Sequence, residues 1–265
     1  MFSHWQLARQ YLQYYYSAAN GKGHGVHSPF VYNFIRQVLN DNRQFYAYYY
    51  IEQLRTQLLQ NETVLEVEDM GAGSVVSKTR QRSVASIAQH AAKPKKWAQL
   101  LFRIVHYYQP QHILELGSSL GVSTAYMSLA NPHARLITGE GSKEIAMQAR
   151  KNFGSLFLEN IELVEGNFDD TLPEMIRRLT TVDLAFIDGN HRYEPTMRYF
   201  ELLLPAMSAA SVMIFDDIHW SEEMQRAWTD IQQHPAVMLT VDLFFFGLVF
   251  FREDFKIKQH FLVRY

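Results

Sequence analysis

At 265 residues the chain suits one large domain, or one domain with a smaller attachment, and 48% hydrophobic against 20% charged residues suits a globular protein with a sizeable core. A formal charge of −2 leaves no overall basic footprint, so nucleic acid is an unlikely partner, and the lack of cysteine rules out disulfides, thiolate nucleophiles and Cys-ligated zinc. The opening MFSHWQLARQ lacks a signal-peptide layout, and the longest apolar run, 243–251 between Asp242 and Arg252, is too short to cross a bilayer as a helix. A cytoplasmic chain without membrane contact is expected.

In chain order, Trp5, Ala8, Tyr11, Leu12 and Tyr15 share one face of a first helix. The glycine-rich NGKGHGVHSP then connects to a second helix, with Ser28 as N-cap, Pro29 in its first turn, and Phe34, Ile35, Val38 and Leu39 as its stripe. A third stripe is Ala47, Tyr50, Ile51, Leu54 and Leu58. VEDMGAGSVVS, 67–77, has glycine-loop spacing at Asp69, Gly71 and Gly73, but no apolar strand ending in an acid follows about twenty residues later. It reads as a loop before a basic amphipathic helix. Residues 1–90 are therefore expected to form an N-terminal helical cap region, and residues 91–265 a second domain.

That domain opens on a helix carrying Trp97, Leu100, Leu101, Ile104, Val105 and Tyr108. Short apolar runs follow at 112–116, 135–139, 161–165, 182–187 and 211–215, with helical stretches between most of them. Strands alternating with helices imply right-handed βαβ units and a parallel, doubly wound α/β sheet. The last two runs, 237–242 and 244–251, are too close for a crossover helix and must pair antiparallel. The helix over 221–234 has Ser221 as N-cap, Glu222 and Glu223 in its first turn, and a packing face of Met224, Ala227, Trp228 and Ile231.

The first strand ends in ILELGSSLGVSTAYMS, where Glu115, Gly117 and Gly121 lead into a helix whose N–H groups can receive a carboxylate or phosphate. A nicotinamide dinucleotide loop would need glycine at 117, 119 and 122, and this chain has Gly117, Ser119 and Val122. The second strand ends at Glu140, which can accept both hydroxyls of a ribose, and the third is followed by Gly166, Asn167 and Phe168, suited to an adenine edge and face.

This ordered series, with the terminal hairpin, resembles the class I S-adenosylmethionine-dependent methyltransferases over roughly residues 95–251. The resemblance implies a Rossmann-like fold with S-adenosyl-L-methionine as cofactor. It places Glu115 and Gly117 at the methionine end, with Ser119, Gly121 and Ser123 of the same loop also binding the cofactor. Glu140 then holds the ribose, and Gly166, Asn167 and Phe168 frame adenine.

In a doubly wound sheet, ligands sit beyond the carboxyl ends of the strands. FIDGNHRYEP and VMIFDDIHW occupy two such ends, so Asp188, Asp216 and Asp217 are expected to converge, with His191 and His219 nearby. Three adjacent carboxylates must retain protons or gather a cation, and Mg²⁺, Mn²⁺ or Ca²⁺ would suit oxygen ligands. Alternatively, one aspartate caps the next helix or pairs with Arg192. The pattern resembles the metal-dependent catechol and caffeoyl-coenzyme A O-methyltransferases, from which Asn190, His191 and Asp217 depart. Bacterial small-molecule methyltransferases with Asp-Gly-x-His-x-Tyr and Asp-Asp elements resemble it more closely.

The resemblance implies methyl transfer to an oxygen of a small molecule, with Asp188 lining the cofactor and the reaction and Asp188, Asp216 and Asp217 as metal ligands. His191 either removes the acceptor proton or braces a carboxylate. Tyr193 and Trp220 either stack on a planar acceptor or belong to the core, and His24 and His27 read as a solvated turn. An N-methyltransferase, or a non-catalytic S-adenosylmethionine-binding module docking a partner through its aromatic N-terminal helices, is the alternative. A homodimer stays open.

Overall fold

The computed structural model describes residues 1–67 and 81–265, so the loop at 67–77 lies outside the described residues beyond Val67. The chain divides into two compact units, Met1–Asp41 with Thr180–Tyr265, and Asn42–Leu179. The first unit opens with α1 (His4–Ser17) and α2 (Pro29–Phe34), which runs into a π turn at Ile35–Leu39. The second unit holds α3 (Tyr46–Leu59), β1 (Val64–Glu66), β2 (Gln81–Ser83), α4 (Val84–His90), α5 (Lys95–Tyr108), β3 (His112–Leu116), α6 (Val122–Ala130), β4 (Arg135–Glu140), α7 (Lys143–Ser155), β5 (Ile161–Glu165) and α8 (Phe168–Leu179). The first unit resumes with β6 (Leu184–Ile187), α9 (Tyr193–Leu203), β7 (Val212–Asp216), α10 (Glu222–Gln233), β8 (Leu239–Asp242), β9 (Phe246–Phe250) and β10 (Gln259–Leu262).

In the second unit β3, β4 and β5 run parallel, with Leu116 opposite Gly139 and Gly139 opposite Val164. The βαβ crossovers predicted from the alternating pattern are α6 and α7. β3 and α6 are buried almost throughout, as expected of parallel structure covered on both faces. α5 lays Trp97, Leu100, Leu101, Ile104 and Val105 into this core. Phe45, Tyr48, Phe102 and Tyr126 pack edge to face or tilted beside it, joining α3, α5 and α6.

In the first unit β6 pairs parallel with β7, β9 lies antiparallel between β7 and β8, and β10 adds a parallel edge to β8. The expected terminal hairpin is therefore present, and the fold is α/β and mostly parallel. Every residue of β6, β7, β8 and β9 is buried. α10 covers β9 through Trp228, whose ring stands where a Cβ on Gly247 would meet it at 2.7 Å, so only glycine fits there. Ser221 caps α10 by accepting the Met224 N–H at 3.2 Å.

α1 buries a face centred on Tyr14, which shares only Tyr11 with the stripe picked out by sequence. Trp5 is 87% exposed, while Tyr14 is buried, and Tyr11 and Tyr14 both pack on Phe244. The Tyr14 hydroxyl donates to the Val263 carbonyl. Aromatic residues lie all round this helix, so periodicity alone cannot choose the buried side. Residues 1–90 are shared between the units, α1 and α2 packing within the first and α3 and α4 within the second.

Candidate cofactor and metal sites

In the second unit, the loop after β3 is held by backbone N–H groups together with side chains. Gly117 N–H and Ser118 N–H both donate to the Gly139 carbonyl, at 2.9 and 3.1 Å, and Gly121 N–H closes the turn on Ser118 at 2.8 Å. Gly117 (φ 95°), Ser119 (φ 48°) and Gly121 (φ 81°) are left-handed. At Gly121 a Cβ would also stand 2.3 Å from the Phe153 ring, so glycine is required twice over. This turn delivers the N-terminus of α6.

Glu140 ends β4, and its two oxygens accept N–H groups from Ser119 at 2.9 Å and Ser142 at 3.0 Å. The hydroxyls of the same two serines are buried and find no hydrogen-bond partner among the described residues. Buried hydroxyls without partners call for an explanation, and a polyhydroxylated ligand beside Glu140 supplies one. The residues thus fit a ribose. Ser142 was not singled out in the sequence, where it reads only as a residue before a helix.

Glu115 is fully buried. Its carboxylate takes hydroxyls from Ser123 at 2.6 Å, Thr138 at 2.7 Å and Thr124, tying β3, α6 and β4 together. In this structure it braces the loop from beneath. Gly166 has φ 132° and donates its N–H to the Glu140 carbonyl at 3.0 Å. Exposed Asn167 accepts the Asp169 N–H at 3.1 Å and opens α8. Phe168 is half-buried, with its ring 3.3 Å from where a Cβ on Gly139 would stand.

In the first unit, the register of β6 and β7 sets Ile187 opposite Phe215, so the next residues, Asp188 and Asp216, leave two neighbouring strands side by side. Neighbouring strands lie about 4.8 Å apart, which keeps these carboxylates close. The turn after Asp188 passes through two left-handed residues, Asn190 (φ 67°) and His191 (φ 21°). Asn190 is anchored by donating to the buried Tyr199 hydroxyl at 3.0 Å. The turn brings His191 back, with Nε2 3.4 Å from Asp188 Oδ1. Asp188, His191 and Asp216 thereby offer ligand atoms that all lie within 4.8 Å of one another.

Two carboxylates and an imidazole form a donor set suited to Mn²⁺, Fe²⁺ or Zn²⁺, and to Mg²⁺ through its oxygens. Asp217 stands outside this set. The strand ends at Asp216, and Asp217 turns away with φ 52°. Neither aspartate is the N-cap of α10, which is Ser221. Tyr193 is committed to α10, its hydroxyl donating to Asp230 at 2.7 Å under the Arg226 guanidinium. That bond to a carboxylate, more than burial, raises the phenol above its ordinary pKa. His219 is bonded to Asp242 at 2.8 Å and belongs to a separate cluster.

A methyltransferase-domain family model matches residues 114–218, which include both the glycine loop and the Asp188–Asp216 pair. A catechol O-methyltransferase from Niastella koreensis is 31% identical over 126 residues, covering 46% of this chain and 55% of the relative. The chain spans about half the length of the curated relatives it matches, 55% and 49% for this one and the Bos taurus catechol O-methyltransferase. The O-methyltransferase TomG of Streptomyces achromogenes, solved with its cofactor, superposes with TM-score 0.52 at 22% identity, over 61% of this chain and 82% of that one. PaMTH1 of Podospora anserina gives TM-score 0.59 at 13% identity over 96% and 98% of the two chains. These solved structures bear out the Rossmann-like fold expected from the sequence.

Proposed function

Starting from a methyltransferase domain over residues 114–218, we propose that this chain transfers a methyl group from S-adenosyl-L-methionine to a hydroxyl of a small planar molecule, catechol-like in chemistry. The observation that carries the reading is the Asp188, His191 and Asp216 set, gathered within 4.8 Å at the ends of β6 and β7. The catechol O-methyltransferase relatives supply the acceptor class.

In this reading Glu140 accepts the ribose hydroxyls, with the Ser119 and Ser142 hydroxyls as further contacts. Gly166, Asn167 and Phe168 border the adenine. The N-terminal end of α6, with Gly117, Gly121 and Ser123, receives the methionine carboxylate, and Glu115 holds Ser123 in place. The bound cofactor supplies a methyl already activated on positively charged sulfur, so the protein's task is alignment and exclusion of water.

Asp188 and Asp216 would hold a divalent cation, with His191 completing the set, and that charge would favour the deprotonated acceptor. Asp217, expected among the ligands, would then shape the rim. A second reading rests on the 3.4 Å approach of His191 to Asp188, in which the carboxylate orients a neutral imidazole that takes the acceptor's proton.

Calorimetric titration with S-adenosylmethionine and Mn²⁺, followed by a radiolabelled methyl-transfer screen over catechols and monophenols, tests the proposal. Tight cofactor binding with Mn²⁺-stimulated transfer is expected, whereas binding without transfer to any hydroxyl would leave a cofactor-binding module. His191→Ala separates the two roles. Loss of Mn²⁺ uptake marks a ligand, while retained uptake with loss of the acid limb of the pH–rate profile marks a base.

A further inference from the structure

A second polar cluster lies in the first unit, at the end of β8. Asp242 is the last residue of that strand and is 4% exposed. It stands opposite Gly247 of β9, whose neighbour Phe246 stands opposite Asp216 of β7. Asp242 and Asp216 thus mark the same end of the sheet, two strands or roughly 10 Å apart.

Three donors converge on the Asp242 carboxylate. Oδ2 meets His219 Nε2 at 2.8 Å and Trp228 Nε1 at 3.1 Å, and Oδ1 accepts the Phe244 N–H at 2.8 Å. An ionised carboxylate only accepts, so His219 presents Nε2–H to Asp242 and turns Nδ1 to the other side. Gln225 Nε2 lies 3.4 Å from that Nδ1 and also donates to Gln10 Oε1 of α1 at 2.9 Å. The imidazole lies stacked on Phe244, ring centroids 5.1 Å apart. A polar chain therefore runs from α1 through Gln225 and His219 to Asp242.

His219 sits in the loop that leaves β7 directly after Asp216. That loop starts with the left-handed Asp217 (φ 52°), a conformation that persists only where its surroundings hold it. Its backbone ties are the Ile218 N–H to Phe245 at 3.4 Å, the Trp220 N–H to Asp217 at 2.9 Å, and the Trp220 carbonyl accepting the Phe2 N–H at 3.1 Å. The first is long and the last depends on the chain's N-terminus. Its side chains hold it in two ways, through the packing of buried Ile218 and through the His219–Asp242 hydrogen bond.

We infer that His219 is a positioning residue, which Asp242 holds so that the turn after β7, and with it Asp216, keeps the geometry needed to activate the acceptor. The inference rests on the proposed methyl transfer. It gives the N-terminal helix a role in the reaction through Gln10 and Gln225, and it explains a buried carboxylate that the acidic set itself does not use.

The test compares wild type with His219→Ala, His219→Phe and His219→Gln. Phenylalanine keeps the ring on Phe244 but cannot donate, and glutamine restores an N–H for Asp242. In the metal-free protein, amide exchange at Ile218 and Trp220 is expected to be at least about tenfold faster in the Ala and Phe variants, and near wild type in His219→Gln. Second-layer partners of a metal or reaction centre are worth about 10- to 100-fold. Mn²⁺ affinity and kcat should fall by that factor in the Ala and Phe variants, with S-adenosylmethionine affinity unchanged and glutamine rescuing both. Unchanged exchange, or equal losses in cofactor affinity and kcat, overturns the role of His219. A wild-type chain that takes up neither cofactor nor Mn²⁺ overturns instead the methyl-transfer reading beneath it.

Discussion

The glycine-loop edge of the second unit and the acidic rim of the first are built in opposite ways. At the loop, backbone groups do most of the holding: Gly117, Ser118, Ser119 and Ser142 all commit N–H groups to the end of β4. The acid beneath, Glu115, accepts three hydroxyls. At the rim, two strand ends and two consecutive left-handed residues bring two carboxylates and an imidazole together, so the set itself is made of side-chain atoms. A site built on backbone tolerates changes of side chain that leave the chain path intact. A site built on side chains loses its chemistry with one atom.

The largest effect should therefore come from the rim. Asp188→Asn removes one charge from the set, and kcat is expected to fall about 10³-fold while calorimetry shows cofactor affinity within a few-fold of wild type. A parallel collapse of cofactor binding would mean that the two sites are not separable. Next is the loop's own weak point. Gly121→Ala forces a Cβ against Phe153 in a left-handed residue, and chemical denaturation should report a loss of about 2–4 kcal/mol with cofactor binding lost as well.

Glu140→Gln sharpens the comparison from the side-chain half of the loop. Hydrogen bonds to a charged group contribute about 1.5–3 kcal/mol, so the dissociation constant of S-adenosylmethionine should rise about 10- to 100-fold at nearly constant kcat. A smaller effect is expected at Ser221→Ala, where loss of the α10 cap costs about 1 kcal/mol, readable as a lower Tm with no change in cofactor affinity.

The smallest involves His260, whose pKa is lowered by desolvation and then by Lys258. Its folded pKa lies below the unfolded one, so the unfolded chain binds the proton more readily. The stability contributed by neutral His260 is present above about pH 6.5 and is lost as pH falls through the folded value. His260→Gln should flatten the acid side of a Tm–pH curve below about pH 6.5. An unchanged slope would assign that loss to other groups.

Much of this molecule was legible in its residues. Ser28 with Pro29, and Ser221 with Glu222 and Glu223, announced two helix starts that the structure contains. The close spacing of 237–242 and 244–251 required the antiparallel pair. β10 was not legible: Gln259-His260-Phe261-Leu262 neither alternates nor forms a long apolar run, and it earns its place only by pairing with β8. The stripe of α1 was misleading for a related reason, since Tyr14, which it omits, outcompetes Trp5 only once Phe244 is present to receive it.

What the sequence settled by itself is local: where strands end, which residues cap helices, and that Glu140 follows Gly117 and Gly121 at one strand–helix step. Those features depend on neighbours within a few positions, which chain order specifies. Membership of the acidic set was decided elsewhere. Asp188 and Asp216 meet because β6 and β7 pair in one register, His191 joins them because its turn is left-handed, and Asp217 departs because its strand has ended. A carboxylate's partners are chosen by register and backbone hand, and both exist only after distant strands have paired.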